Sequence, residues 1–169
     1  MDLKRYIRNV PDFPEPGIQF KDITPLLKDG EALNETFRQL AKKLENLDFD
    51  LIVGTESRGF LFGVGVSCIM NKGFVPIRKA GKLPCPTHKL SYALEYGEDS
   101  LEIHQDALTK GQRVILIDDL LATGGTMRTS IDLVKKCEAI PIGCAFVIEL
   151  DFLKGRDTLD IPIHSLMSY

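Results

Sequence analysis

The stretch Val114–Thr126, VILIDDLLATGGT, decides how the rest of the chain is read. An apolar run leads into Asp118 and Asp119, two leucines follow, and then comes Ala122-Thr123-Gly124-Gly125-Thr126. The apolar residues predict a buried parallel strand over 113–118 that stops at the two acids. In open α/β sheets that carboxyl end is where ligands bind. An ionised carboxylate only accepts hydrogen bonds, so an adjacent pair suits two neighbouring sugar hydroxyls. The ATGGT turn then opens a helix. Its glycines let the backbone approach a ligand, while unpaired amides and the helix dipole favour a phosphate. Thr123 and Thr126 add hydroxyls. Acids for a diol beside amides for a phosphate describe a ribose 5-phosphate site.

Two other phosphate motifs are absent. There is no G-x-x-x-x-G-K-[ST] and no G-x-G-x-x-G anywhere in the chain. A bare D-D could cap a strand and a bare G-G could make a turn, but the thirteen-residue run joins both to a strand and a helix start.

Outward from this run, strand and helix patterns alternate. Apolar residues at Leu33, Phe37, Leu40, Ala41, Leu44 and Leu47 predict a helix over 31–47. A strand over 50–54, a turn at Thr55–Gly59, a helix over 60–70 and a strand over 74–77 come next. After the central run, a helix is expected over 125–137, with strands over 140–149 and 161–166. This order predicts an α/β domain whose main sheet is parallel, with strands near 50–54, 74–77, 113–118 and 140–149. The segment VPDFPEPGIQFKDITP has four prolines and reads as an ordered loop rather than a helix. From Arg78 to Asp99 glycine, proline and lysine mix with alternating residues. That reads as a long excursion, a hairpin outside the main sheet.

Composition bounds the rest. A chain of 169 residues fits one domain, and 44% hydrophobic with 27% charged residues is ordinary for a globular protein. The net charge of −3 carries no basic tail or face, which argues against nucleic acid, and no apolar stretch approaches a membrane span. MDLKRYIRNV lacks the apolar core of a signal peptide, and Cys68, Cys85, Cys137 and Cys144 form no metal-ligand pattern with the three histidines. Free thiols in a reducing cytoplasm are the expectation.

VILIDDLLATGGT resembles the phosphoribosyl diphosphate (PRPP) signature of the type I phosphoribosyltransferases, and LLATGGT looks like the wording of the adenine-specific members. Other segments resemble the same family in the same order: FPEPGIQFKDITPLL, GTESRGFLFG, IRKAGKLPCPT, SYALEYGEDSLEIHQDAL and FVIELDFLKGRDTL. The resemblance implies the type I fold in one domain over 1–169, with a small N-terminal base-binding hood at 1–30 and a mobile lid at 78–99. It implies transfer from PRPP to adenine, giving AMP and diphosphate, with Mg2+ carried by PRPP and no direct protein ligand assigned to it. A homodimer is implied as well.

The roles carry over residue by residue. Asp118 and Asp119 would hold the ribose, and Ala122, Thr123, Gly124, Gly125 and Thr126 the 5′-phosphate. Glu56, Ser57 and Arg58, with Arg78, Lys79 and Lys82, would meet the diphosphate. Glu95 would manage the purine proton and, with Arg58, make up the catalytic pair; Tyr96 belongs to the lid. Phe20 and Leu150 would sandwich the base, whose edge the backbone at Gln19 and Lys21 would read. Gln19 replaces a commoner aliphatic residue, and Cys85 stands where relatives have other small or polar residues. Taken alone, Arg58 reads as a surface ion-pair residue, Glu95 as an exposed glutamate and Phe20 as a core aromatic. Two other readings stay open: the same reaction on hypoxanthine, guanine, xanthine or orotate, and a PRPP-sensing regulator.

Overall fold

The computed structural model describes residues 1–93 and 98–169. In chain order its main elements are β1 (Arg8–Pro11), β2 (Gln19–Asp22), α1 (Thr24–Lys28), α2 (Gly30–Leu44), β3 (Leu51–Thr55) and α3 (Arg58–Met70). They continue with β4 (Gly73–Lys79), β5 (Thr87–Ala93), β6 (Glu98–His104), β7 (Arg113–Leu121), α4 (Gly125–Lys136), β8 (Ile140–Glu149) and β9 (Ile163–Ser168). Short 3-10 turns lie at Leu3–Tyr6, Asp151–Leu153 and Gly155–Thr158.

Strand alternation in β7 separates two cores. Ile115 and Ile117 face a cluster with Leu40, Leu44, Phe62 and Val66 of α2 and α3. Val114 and Leu116 face another with Ile131, Leu133 and Val134 of α4. Successive strand residues point to opposite faces, so a fully apolar run needs helices on both sides of its sheet. The amphipathic spacing of α2 supplies one such stripe, and Asp29 caps it by accepting from the Ala32 N–H at 2.9 Å.

The seven-stranded sheet has the order β5-β6-β4-β3-β7-β8-β9. From β4 to β9 the pairings are parallel. The chain passes from β3 to β4 on one side and returns to place β7 on the other. The order therefore reverses between β3 and β7, and a crevice opens beyond their carboxyl ends.

Three expectations need correction. The hairpin β5–β6 is not outside the main sheet: β6 pairs antiparallel with the end of β4 at Arg78↔Glu102 and Lys79↔Leu101. Buried Leu101 and Ile103 drive this, because they join the core that lies over α4. The strand over 113–118 does not stop at the acids. It runs on to Leu121, with Asp118 opposite Phe146 and Leu121 opposite Glu149 in β8. The proline-rich N-terminal loop has strands at its two ends, since β1 and β2 pair as an antiparallel ribbon.

All four cysteines are free, with Cys85 exposed. No helix among the described residues is long and apolar enough to cross a membrane.

Candidate active site

Between the ends of β3 and β7 lies a cavity of about 260 Å3, lined by Glu56, Ser57, Arg58 and the run Asp118–Met127. Two segments far apart in the chain build it, one just after β3 and one running from the end of β7 into α4. The structure thus brings the sequence-derived acid pair, glycine turn and Glu56-Ser57-Arg58 loop around one space.

The glycine turn is shaped by its backbone. Gly124 sits at φ 89° as the N-cap of α4. A side chain there is doubly unfavourable: the left-handed conformation is costly, and a Cβ would fall on Thr158 Oγ1 and 2.8 Å from the Gly155 carbonyl oxygen. The first amides of α4 have no partner within the helix and are free to receive an anion.

The acids are held unequally. Asp119 is buried and continues the α3-facing side of β7. Its Oδ2 lies 3.0 Å from Arg58 Nε at the start of α3. The Asp119 N–H donates to Asp118 Oδ1 at 2.8 Å. Burial, together with the neighbouring charge of Asp119, pushes the Asp118 carboxyl well above the usual carboxylate range. Burial also raises Asp119, and the Arg58 guanidinium works against that rise.

The helix over 60–70 begins earlier than its apolar spacing suggests, at Arg58. Arg58 stands at the first position of α3, directed at Asp119, with its guanidinium 5.7 Å from the centre of the Phe20 ring. That contact ties the N-terminal ribbon to the cavity. The Glu56–Ser57 peptide is cis.

Glu56 gathers the basic cluster. Its carboxylate receives Lys82 Nζ at 2.6 Å and the Lys79 N–H, with Arg78 Nε 3.6 Å away. Burial opposes ionisation of Glu56, but the bonds from Lys82 and Lys79 outweigh it and hold the carboxyl below its ordinary value. Lys79 Nζ is 2.9 Å from Asp99 Oδ2. The sequence reading did not single out Asp99, and nothing in its local pattern distinguishes it from other hairpin acids.

The expected base-binding residues do not line the cavity. Leu150 is buried next to it, and its N–H donates to the Leu121 carbonyl at 2.9 Å. Gln19 is exposed. The Lys21 amine turns to Asn9 Oδ1 at 2.7 Å and lies over the Tyr169 ring. Glu95 and Tyr96 fall outside the described residues.

The family model of the phosphoribosyl transferase domain matches residues 25–164. Fold and cavity accordingly define a phosphoribosyltransferase of the type I class. An adenine phosphoribosyltransferase of Synechocystis sp. is 52% identical over 172 residues, with all of both chains covered. The crystal structure of adenine phosphoribosyltransferase from Thermoanaerobacter pseudethanolicus is 53% identical, superposes with a TM-score of 0.97, and the match covers 99% of this chain and 98% of that one. The Saccharomyces cerevisiae enzyme, complexed with an iminoaltritol bisphosphate and adenine, is 42% identical with a TM-score of 0.90, covering 98% and 96%. The chain belongs to the adenine phosphoribosyltransferase family, and so to the pentosyltransferases.

Proposed function

We propose that the cavity between β3 and β7 carries out the family's reaction, adenine plus PRPP giving AMP plus diphosphate, a purine-salvage step. One observation carries this reading: an acid pair, a left-handed glycine turn opening a helix and an arginine surround one space of about 260 Å3 at the switch point of the sheet. That volume is at the small end for ligand pockets and suits a sugar phosphate. The yeast relative's complex with adenine supports the choice of base.

Asp118 and Asp119 hold the ribose hydroxyls, and residues Ala122 to Thr126 anchor the 5′-phosphate. Remote binding energy then positions C1. The bond from C1 to the diphosphate oxygen breaks, positive charge builds on the ribose, and adenine N9 attacks from the opposite face. The acid pair is placed to favour that charge. Arg58, Lys79 and Lys82 receive the departing diphosphate, with Glu56, Ser57 and Arg78 shaping its loop. In the ligand-free chain those cations rest on acids, so the substrate has to exchange one set of partners for another. Phe20 and Leu150 flank the base, the backbone at Gln19 and Lys21 reads its edge, and Glu95 takes the N9 proton. Residues 1–30 act as a hood and 78–99, with Tyr96, as a lid that excludes water.

Among the described residues no group of three His, Cys, Asp or Glu side chains could hold a metal ion. The hard carboxylate oxygens of Asp118 and Asp119 fit Mg2+ and would hold it if it came with PRPP. Such an ion would supply Lewis-acid neutralisation of diphosphate charge. A cytoplasmic homodimer is part of the same reading. The helix α3 is apolar around its circumference and leaves Leu61, Val64 and Ile69 exposed, as a buried helix would.

Assaying adenine, hypoxanthine, guanine, xanthine and orotate with PRPP tests the base. AMP formation should dominate, and equal turnover of another base would overturn the specificity. Sedimentation should give a particle of twice the chain mass.

A further inference from the structure

The turn Gly155–Thr158 touches the phosphate loop without lining the cavity, and no step above uses it. Its approach is close. A Cβ on Gly155 would fall on the Ala122 carbonyl oxygen and 3.1 Å from the Gly124 nitrogen. Thr158 Oγ1 lies 3.4 Å from the Thr123 carbonyl oxygen and 2.7 Å from that of Gly155. Arg128 of α4 reaches the Thr158 carbonyl at 3.3 Å. The backbone of Ala122, Thr123 and Gly124 is therefore backed by a second piece of backbone.

Besides Arg128, a forked ion pair from within the turn ties that second piece to the sheet. Arg156, within the turn, makes a two-pronged bond to Glu149 at the end of β8, Nε to Oε1 at 2.8 Å and Nη2 to Oε2 at 2.6 Å. Glu149 is buried and also accepts from Ser165 Oγ of β9 at 2.5 Å. A forked guanidinium–carboxylate pair fixes direction as well as distance, and with Arg156 half exposed to solvent the pair contributes only modestly to net stability. Its fixed direction points to a geometric role rather than a stabilising one.

We propose that the Glu149–Arg156 ion pair positions the 5′-phosphate loop, by seating Gly155 and Thr158 against Ala122, Thr123 and Gly124 so that the loop amides face the phosphate. This rests on the reading of Ala122–Thr126 as the phosphate cradle. Glu149 and Arg156 are positioning residues: neither lines the cavity.

The test is calorimetric titration of ribose 5-phosphate into full-length variants, with steady-state kinetics for both substrates. Removing Arg156 alone strands a buried carboxylate and risks unfolding, so the main variant is the double Glu149→Gln/Arg156→Met. Gly155→Ala, which wedges the turn against Ala122, and the conservative Arg156→Lys accompany it. The double variant and Gly155→Ala should each weaken ribose 5-phosphate binding about tenfold and raise KM for PRPP by a similar factor, roughly the worth of one charge-assisted hydrogen bond. The kcat and the KM for adenine should hold, and Arg156→Lys should recover part of the loss. Wild-type ribose 5-phosphate affinity in both variants overturns the proposal. So does a loss shared equally by adenine, which would make the pair merely structural. Gly124→Val separates the two readings: if it too binds ribose 5-phosphate normally, the cradle itself is elsewhere.

Discussion

At the β7–α4 end of the cavity the groups proposed to receive an anion are backbone amides. At the β3–α3 end they are side chains, Arg58 and the neighbouring Lys79 and Lys82, each resting on an acid of the same chain. The first end is preformed: Gly124 at φ 89° and the turn behind it leave the loop little freedom. The second is balanced by charge and has to trade partners when a ligand arrives. The difference fits the chemistry proposed for each. The 5′-phosphate stays attached throughout and benefits from a fixed anchor. The diphosphate must be held and then released, which suits cations with somewhere else to go.

Gly124→Val should break the preformed end outright. Both the backbone conformation and the contact with Gly155 forbid the side chain, so kcat/KM for PRPP should fall by more than about 1,000-fold. A variant with normal PRPP kinetics would mean that the backbone turn is not the anchor.

Arg58→Ala strikes the exchanging end. Loss of a preorganised charge-stabilising group should cost on the order of 100- to 1,000-fold in kcat, read by steady-state assay at saturating PRPP. If only KM changed, Arg58 would be a binding group and the contrast between anchor and exchange would weaken.

Lys82→Met should raise KM for PRPP by roughly tenfold, the scale of one charged contact, with kcat less affected. The defect should shrink as salt is added to both proteins, because screening weakens the wild-type contact. A salt-independent defect would place Lys82 in the fixed class.

The smallest effect concerns stability. The folded Asp118 carboxyl is raised by burial and by Asp119. As pH rises past the ordinary aspartate range the unfolded chain loses this proton first. The group then becomes increasingly unfavourable to folding until the folded carboxyl ionises. Asp118→Asn removes that cost and can keep the bond from the Asp119 N–H. Its melting temperature at neutral pH should therefore rise by no more than a few degrees, roughly the effect of 1 kcal/mol for a chain of this size, while activity falls. An unchanged or lower melting temperature at neutral pH, with activity lost, would show that burying Asp118 carries no such cost.

Much of this was legible in local pattern. VILIDDLLATGGT carried strand, acids, turn and helix start in one uninterrupted run, so its reading needed no distant partner. The apolar spacing of α2 placed that helix within a few residues of its observed span. The hairpin was harder. Leu101 and Ile103 alternate with polar residues as any two-sided strand would, and only the pairing of β6 with β4 shows which edge they extend. Arg58 illustrates the same limit. Local pattern allows a surface ion pair, and the structure does pair it, but with the buried acid Asp119 that lines the cavity.

The sequence alone determined the alternation of strands and helices, the chemistry of the acid pair and the glycine turn, and the family. These depend on the order and spacing of neighbouring residues, which folding leaves intact. Only the tertiary structure decided that Glu56–Arg58 and Asp118–Thr126 share one cavity, that Lys79, Lys82 and Arg58 rest on acids, and that Glu149–Arg156 backs the phosphate loop. The shared cavity follows from the pairing of β3 with β7, which joins residues about sixty positions apart, and the other contacts follow from the neighbouring pairings of the same sheet. Long-range pairing of this kind is set by burial of the whole sheet between its helices, and no local stretch of the chain records it.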